Sequence, residues 1–332
     1  MDYRPFGDTD LRVSELGIGG GRLASTLKQG TAGDVTRMLH QALDSGVTFF
    51  DTADSYGQGK SEQLIGDALD GRRDEVVIAT KAGYRLSTAG GFAARLKPVL
   101  GPLVRSVKSL GRLAGSVRSS QMGQDFSAEY LRAAVDGSLR RLRTDRIDLY
   151  QLHSPPVEVL RRGEAFAVLD GLRTAGKIRY YGVSCRTVDD AVVALEHPGV
   201  SAVQVPVNLL EREAVMMLLP LAVKQKVAVV ARQPFASGFL VQSEAQIRSH
   251  APSVDREELE KRLRVAAEFD FLATGSRSMA QAAIQWTLAQ DGVSVVLPGI
   301  SSSDHLRENL GALTAPPLTD GELSRIAALS RS

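Results

Sequence analysis

Apolar residues along the chain follow two periods. Short β-like runs fall at 16–19, 48–51, 76–81, 147–152, 180–184, 202–205, 227–232 and 293–297, with the length and branching of buried strands. Between them, stretches such as 32–45, 62–69, 130–142 and 278–290 place apolar residues three and four apart and end near Gly or a polar turn, as helices packed by one face do. This alternation predicts a parallel sheet covered by helices. Eight such units in 332 residues favour closure into a (β/α)8 TIM barrel over an open sheet. Residues 3–13, polar and apolar positions interleaved around Gly7-Asp8, predict an N-terminal β-hairpin that plugs the bottom of the barrel. No linker or internal repeat breaks the pattern, so residues 1–332 read as a single barrel domain.

Two connections exceed ordinary loop length: 84–124, after the third strand, and 236–277, which contains a predicted extra helix over 255–271. Connections this long are usually functional, and in such a barrel the loops after the strands build the active face. The first also changes the reading of the charge. The chain's net charge of +2 is far too even for a protein whose main work is gripping a nucleic-acid backbone. Yet residues 84–124 carry seven Lys and Arg and no acid, which leaves a net −5 for the rest. Within this insertion Val99, Leu100, Leu103, Val107, Leu110, Ala114 and Val117 fall within about 100° of helical arc, opposite Lys97, Arg105, Lys108 and Arg112. The pattern is amphipathic. Pro98, Gly101-Pro102, Gly111 and Gly115 break it into shorter helical pieces hinged near Gly101.

The remaining composition narrows the class. Cys185 is alone and cannot form an intramolecular disulfide, and the five histidines lack the short spacings of a zinc module, so no metal site is expected. No run approaches eighteen uncharged apolar residues, and no apolar signal segment opens the chain. The expectation is a cytoplasmic protein without a transmembrane segment.

Polar residues that end apolar strands are the informative ones, because strand C-termini open onto the active face. Asp51 and Tyr56 follow the second strand, Lys81 closes the third and His153 the fourth. Singly each has a structural explanation: Asp51 a turn cap, Tyr56 a loop anchor, Lys81 a surface residue, His153 a packed or capping ring. Placed at three consecutive strand ends they could converge. A tyrosine hydroxyl, with a reference pKa of about 10, needs a nearby cation to favour the phenolate left when it gives up its proton. Lys81 can supply that charge, Asp51 can orient Lys81, and His153 can hydrogen-bond a substrate oxygen.

The same residues carry a family likeness. The run Asp51-Thr52-Ala53-Asp54-Ser55-Tyr56-Gly57 with Gly59, Ser61-Glu62 and Gly66 resembles the signature of the aldo-keto reductases. So do Thr80-Lys81, the stretch Ser138-Leu139-Arg140-Arg141-Leu142 through Asp145, Ile147-Asp148-Leu149-Tyr150 and His153. Further along, Gly176-Lys177-Ile178-Arg179-Tyr180, Gly182-Val183-Ser184, Gln204, Asn208-Leu209, Pro234, Gly238, Leu240, Leu297-Pro298-Gly299 and Glu308-Asn309 follow in family order, covering roughly 3–315. The resemblance implies an NAD(P)H-dependent reductase barrel that converts an aldehyde or ketone to an alcohol. By the same likeness Tyr56 is the general acid, Lys81 and Asp51 its tuning pair and His153 the orienting residue. Ser184 and Gln204 would hold the nicotinamide carboxamide with Cys185 packed beside the amide, Asp51 and Gly20 would also contact the cofactor, and Gln233, Pro234, Phe235, Gly238 and Leu240 would pass over the pyrophosphate. Pro298, Gly299, Ser301, His305, Glu308 and Asn309 would surround the adenosine end. The Gly17–Gly21 run lacks the spacing of a Rossmann fingerprint.

Departures from the family pattern sharpen these expectations. Cys185 stands where the family usually has Asn, and Val207 at a position where a tyrosine commonly stacks on the nicotinamide, giving an apolar wall instead. Gln233 and Phe235 replace Ser and Leu around Pro234. His305 replaces the arginine that often clamps the 2′-phosphate, and no Lys or Arg occurs over 297–306. NADPH remains the implied cofactor, with NADH open. The partners implied are a small carbonyl or alcohol substrate and no nucleic acid, with room for a homo-oligomer. The alternative is a nucleotide-binding regulatory or scaffold protein resembling potassium-channel β subunits. For the basic insertion, a lid over the barrel mouth suits hydride transfer; a subunit contact or a membrane-surface helix are the other readings.

Overall fold

The structure, a computed structural model, describes residues 1–27, 30–86, 122–250 and 255–329. Eight parallel strands form the barrel: β3 (Gly17–Gly19), β4 (Phe49–Asp51), β5 (Val77–Ala82), β8 (Ile147–His153), β9 (Ile178–Ser184), β10 (Val200–Pro206), β11 (Ala228–Arg232) and β12 (Val293–Leu297). Each pairs with the next, and an isolated parallel bridge between Leu16 and Val296, with the Val296 amide donating to the Glu15 carbonyl at 2.9 Å, draws the last strand to the first. The architecture is the (β/α)8 TIM barrel.

Alternation along the strands sorts the side chains. Phe49, Val77, Ala79, Leu149, Ala202, Ala228, Val230, Val295 and Leu297 point inward as one buried cluster, while Phe50, Ile78, Tyr150, Val203, Val229 and Val296 join the larger core beneath the helices. Inward and outward positions differ by one residue. Continuing the inward set toward the strand C-termini brings Asp51, Lys81, Gln151, His153, Ser184, Gln204 and Arg232 to the top of the lumen.

The bottom is filled by the hairpin of β1 (Tyr3–Pro5) and β2 (Arg12–Ser14), antiparallel as expected. Its Phe6, Leu11 and Val13 belong to the inner cluster, with the Phe6 ring 5.6 Å from that of Phe49. The surrounding helices begin where the sequence supplies side-chain caps: Thr31, Thr187 and Ser278 each form a reciprocal capping box, and Ser127 and Ser302 accept from the amide three residues on.

Of the long connections, 84–124 begins and ends as an antiparallel pair, β6 (Tyr84–Leu86) with β7 (Met122–Gln124). The amphipathic pattern inside it lies outside the described residues, as residues 87–121 do. The connection after β11 holds the helices Glu244–His250 and Arg256–Ala267. Among the described residues no helix is long and apolar enough to cross a membrane.

Candidate active site

The loop after β4 carries Asp51 and Tyr56 to the top of the barrel and is pinned from below. Thr52 Oγ1 donates to Ser61 Oγ at 2.8 Å, and Ser61 Oγ donates to the Gly20 carbonyl at 2.9 Å. Gly20 has to be glycine: a Cβ there would lie 2.6 Å from Ser61 Oγ and 2.9 Å from the Asp51 carbonyl. The next turn runs through left-handed Gly57, Gln58 and Gly59 into the helix Lys60–Ala68. Glu62 in that helix is wholly buried, accepting from Thr80 Oγ1 at 2.7 Å and from Arg141 Nε at 2.6 Å. The turn is thereby tied to β5.

Lys81 is wholly buried, and its ammonium meets Asp51 Oδ1 at 2.7 Å, Asp51 Oδ2 at 2.6 Å and the Thr52 carbonyl at 2.8 Å. An ammonium has three protons, and three acceptors use them all. Asp51 Oδ1 also accepts from Gln204 Nε2 at 2.9 Å and from Gln151 Nε2 at 3.3 Å. A buried ion pair needs this degree of hydrogen bonding to offset the loss of water. With its protons committed, Lys81 reaches Tyr56 through its field: Nζ lies 5.2 Å from the centre of the Tyr56 ring.

His153 closes β8 beside them. Its ring stands edge-on to Tyr56 at 5.7 Å between centroids and to Tyr84 at 4.8 Å. Burial, and then the charges of Lys81, Arg232 and Arg186, push its pKa down to about 3. The imidazole is therefore neutral across the physiological range. Its Nδ1 is buried with no hydrogen-bond partner among the described residues.

These groups open onto a cleft of about 900 Å³. Asp51, Tyr56, His153, Ser184, Gln204, Gln233, Pro234, Phe235, Gly238, Pro298, Gly299, Ser301, His305, Glu308 and Asn309 all line it. Lys81 lies beneath, behind Asp51. Gly20, Cys185 and Leu240 do not line the cleft: Gly20 is enclosed by Ser61 and Asp51, Leu240 is buried, and burial pushes the Cys185 thiol up. Val207 is also wholly buried and off the cleft, so it forms no wall there. Arg232, which sequence reasoning did not single out, does line it, its Nη2 donating to the Cys185 carbonyl at 3.0 Å. Gln151 was missed in the same way. Both share the inward parity of apolar residues two or more positions earlier, Val230 and Leu149, and that alternation was the signal available.

The far end is built by the loop after β11 and the start of the helix Ser303–Gly311. Gln233, Ala236 and Ser237 adopt left-handed φ of 57°, 49° and 60°, a cost that non-glycine residues bear mainly at functional loops. Ser301 Oγ and His305 Nδ1 lie 3.0 Å apart at the start of the helix Ser303–Gly311, whose cap is Ser302. Glu308 accepts from Ser278 Oγ, and Asn309 Nδ2 donates to the Gly299 carbonyl at 3.3 Å. At the near end Ser184 Oγ donates to Gln204 Oε1 at 3.1 Å, leaving one amide proton of Gln204 and further lone pairs for a bound amide.

Comparison with known proteins is consistent with this geometry. The family model described as "Aldo/keto reductase family" matches residues 15–331. An uncharacterized oxidoreductase of Bacillus subtilis is 30% identical over 98% of this chain and 95% of its own length. An NADP(+)-named aldo-keto reductase of Schizosaccharomyces pombe is 29% identical over 87% of this chain and 80% of its own. The holo form of an aldo-keto reductase from Bacillus halodurans superposes with a TM-score of 0.75 at 30% identity, covering 99% of this chain and 96% of that one.

Proposed function

The chain belongs to the aldo/keto reductase family, an NAD(P)H-dependent class of enzymes acting on small carbonyl compounds, and we propose that it reduces an aldehyde or ketone to an alcohol with Tyr56 as general acid. The observation that carries this reading is the buried Lys81 ammonium, fixed by both Asp51 oxygens and held 5.2 Å from the Tyr56 ring. When bound, the nicotinamide cofactor supplies the hydride to the carbonyl carbon. Tyr56 gives its hydroxyl proton to the carbonyl oxygen, and the Lys81 charge favours the phenolate that remains until solvent reprotonates it. His153, neutral and aimed into the cleft, donates a hydrogen bond that orients the carbonyl oxygen. Asp51 holds the Lys81 ammonium in place through both carboxylate oxygens.

In this reading Ser184 and Gln204 take the carboxamide, the loop 233–238 covers the pyrophosphate, and residues 298–309 receive the adenosine. NADPH is preferred over NADH because Ser301, His305 and a capped helix N-terminus gather at that end, and helix N-termini attract phosphate. The S. pombe relative named for NADP(+) supports the same preference.

Tyr56→Phe tests the assignment. It should leave NADPH binding, followed by fluorescence titration, unchanged and lower turnover at least about a hundredfold. Turnover retained within a factor of three defeats the role. Parallel titrations with NADPH and NADH test the preference, with the lower dissociation constant expected for NADPH.

A further inference from the structure

We propose that Asp54 and Tyr130 form a proton-dependent clamp that holds Tyr84 as the positioning ring for His153. The inference rests on the proposed role of His153 and adds what orients it. A histidine ring is usually aimed by a hydrogen bond to its second nitrogen. Here Nδ1 has none among the described residues, and the ring is held by the edges and faces of two tyrosines, the nearer being Tyr84. Tyr84 is fixed at two points: Arg186 Nη2 donates to its hydroxyl at 2.6 Å, and Tyr130 Oη lies 3.1 Å from its carbonyl oxygen.

Tyr130 Oη also lies 3.0 Å from Asp54 Oδ2. A phenol has one proton, and it cannot be given fully to both a carbonyl and a carboxylate. The conflict disappears when Asp54 is protonated on Oδ2: Asp54 then donates to Tyr130 Oη, and Tyr130 donates to the Tyr84 carbonyl. The remaining oxygen, Oδ1, is buried with no partner among the described residues. That is tolerable for a neutral carbonyl oxygen and costly for an anion.

The surroundings favour the proton. Burial and the Glu62 charge raise the Asp54 pKa to about 7, against the opposing pull of the Tyr130 hydroxyl, Arg141 and the Ser55 amide. Tyr150, facing the same cluster, stays neutral, its pKa raised by burial and by the Asp54 and Glu62 charges. Glu62 is itself committed to Thr80 and Arg141. Below neutrality the relay from Asp54 through Tyr130 to Tyr84 is complete. Above it, ionised Asp54 draws the Tyr130 proton to itself and the Tyr84 carbonyl loses its donor.

Steady-state kinetics from pH 5.5 to 8.5, with ¹⁵N-labelled histidine spectra of the same proteins, test the clamp. The wild type should lose about fivefold in kcat across a step centred near pH 7, while the His153 nitrogens shift with the same midpoint and stay in the neutral range. Asp54→Asn, whose amide donates at every pH, should keep the low-pH rate and lack both steps. Tyr130→Phe should show the reduced rate throughout. Tyr84→Leu should lower kcat about tenfold with cofactor affinity unchanged, and Tyr84→Phe should recover most of it. Identical kinetic and spectral profiles for Asp54→Asn and the wild type overturn the clamp. If instead His153→Ala leaves turnover intact, the reading of the site itself fails.

Discussion

The two ends of the barrel treat their polar groups differently. At the bottom Asp148 is wholly buried yet accepts from Arg73 at 2.7 Å, the Ile78 amide at 2.9 Å and Arg179 at 3.0 Å. Arg179 also reaches both oxygens of Asp10 on the hairpin at 2.8 Å, and Arg4 donates to the Leu288 and Val293 carbonyls. At the top, Asp54 Oδ1, Tyr150 Oη, Gln151 Oε1 and His153 Nδ1 are buried without partners among the described residues. Left-handed Gln58, Ser154, Gln233, Ala236 and Ser237 also lie in the loops at that end. The bottom spends its hydrogen bonds on closing the fold. The top holds the unmatched polar atoms, as expected where a ligand completes the structure, while the bottom's left-handed residues, Arg143 and Lys226, are the C-caps of helices.

Breaking the buried pair at the top should give the largest effect. Lys81→Met leaves the Asp51 carboxylate buried without its cation, a loss of about 3–5 kcal/mol, and removes the charge behind Tyr56, so turnover should fall by about a thousandfold or more. Urea denaturation and single-turnover assays measure the two. Adding Asp51→Asn to that variant should recover stability and leave turnover lost; recovery of turnover would show the pair to be merely structural. At the bottom, Phe6→Ala should cost about 3–5 kcal/mol with kcat within a factor of two of wild type below the melting range. A matching loss of kcat would mean that the two ends are not separable.

The smallest effect concerns pH. His153 is depressed to about 3, so its stabilisation is present above the unfolded value near 6.5 and is lost as pH falls; Asp54 is raised to about 7, so the folded state gains on acidification through the same window. From pH 6.5 to 5 each contributes about 1–2 kcal/mol, with opposite sign. Denaturation midpoints should therefore fall on acidification more in Asp54→Asn than in the wild type, and less in His153→Gln. Parallel curves for the three proteins would remove both groups from the pH dependence.

Much of this was legible before any fold was known. The run 147–152 is β8 to within one residue, and the hairpin lies where Gly7 and its flanking alternation put it. The motif residues Asp51, Tyr56 and His153 do line one cleft with Ser184 and Gln204. Cleft lining is where family position and structure part. Family position places Val207, Cys185, Gly20 and Leu240 near the cofactor, yet none of them lines the cleft, because exposure to it depends on which way each backbone position faces. Arg232 was passed over as the end of an apolar strand, although its parity with Val230 points inward.

What the order of residues determines by itself is periodicity: which positions face the lumen, where strands stop and where turns are permitted, because these follow from local geometry and the burial of apolar surface. Tertiary structure alone decided that the Lys81 protons are exhausted by Asp51 and Thr52, that His153 Nδ1 has no partner among the described residues, and that the Tyr130 hydroxyl sits within reach of both Asp54 Oδ2 and the Tyr84 carbonyl. Those facts depend on angstrom-scale distances between segments far apart in the chain. Burial then magnifies them, because water is not there to satisfy what the protein leaves unmatched.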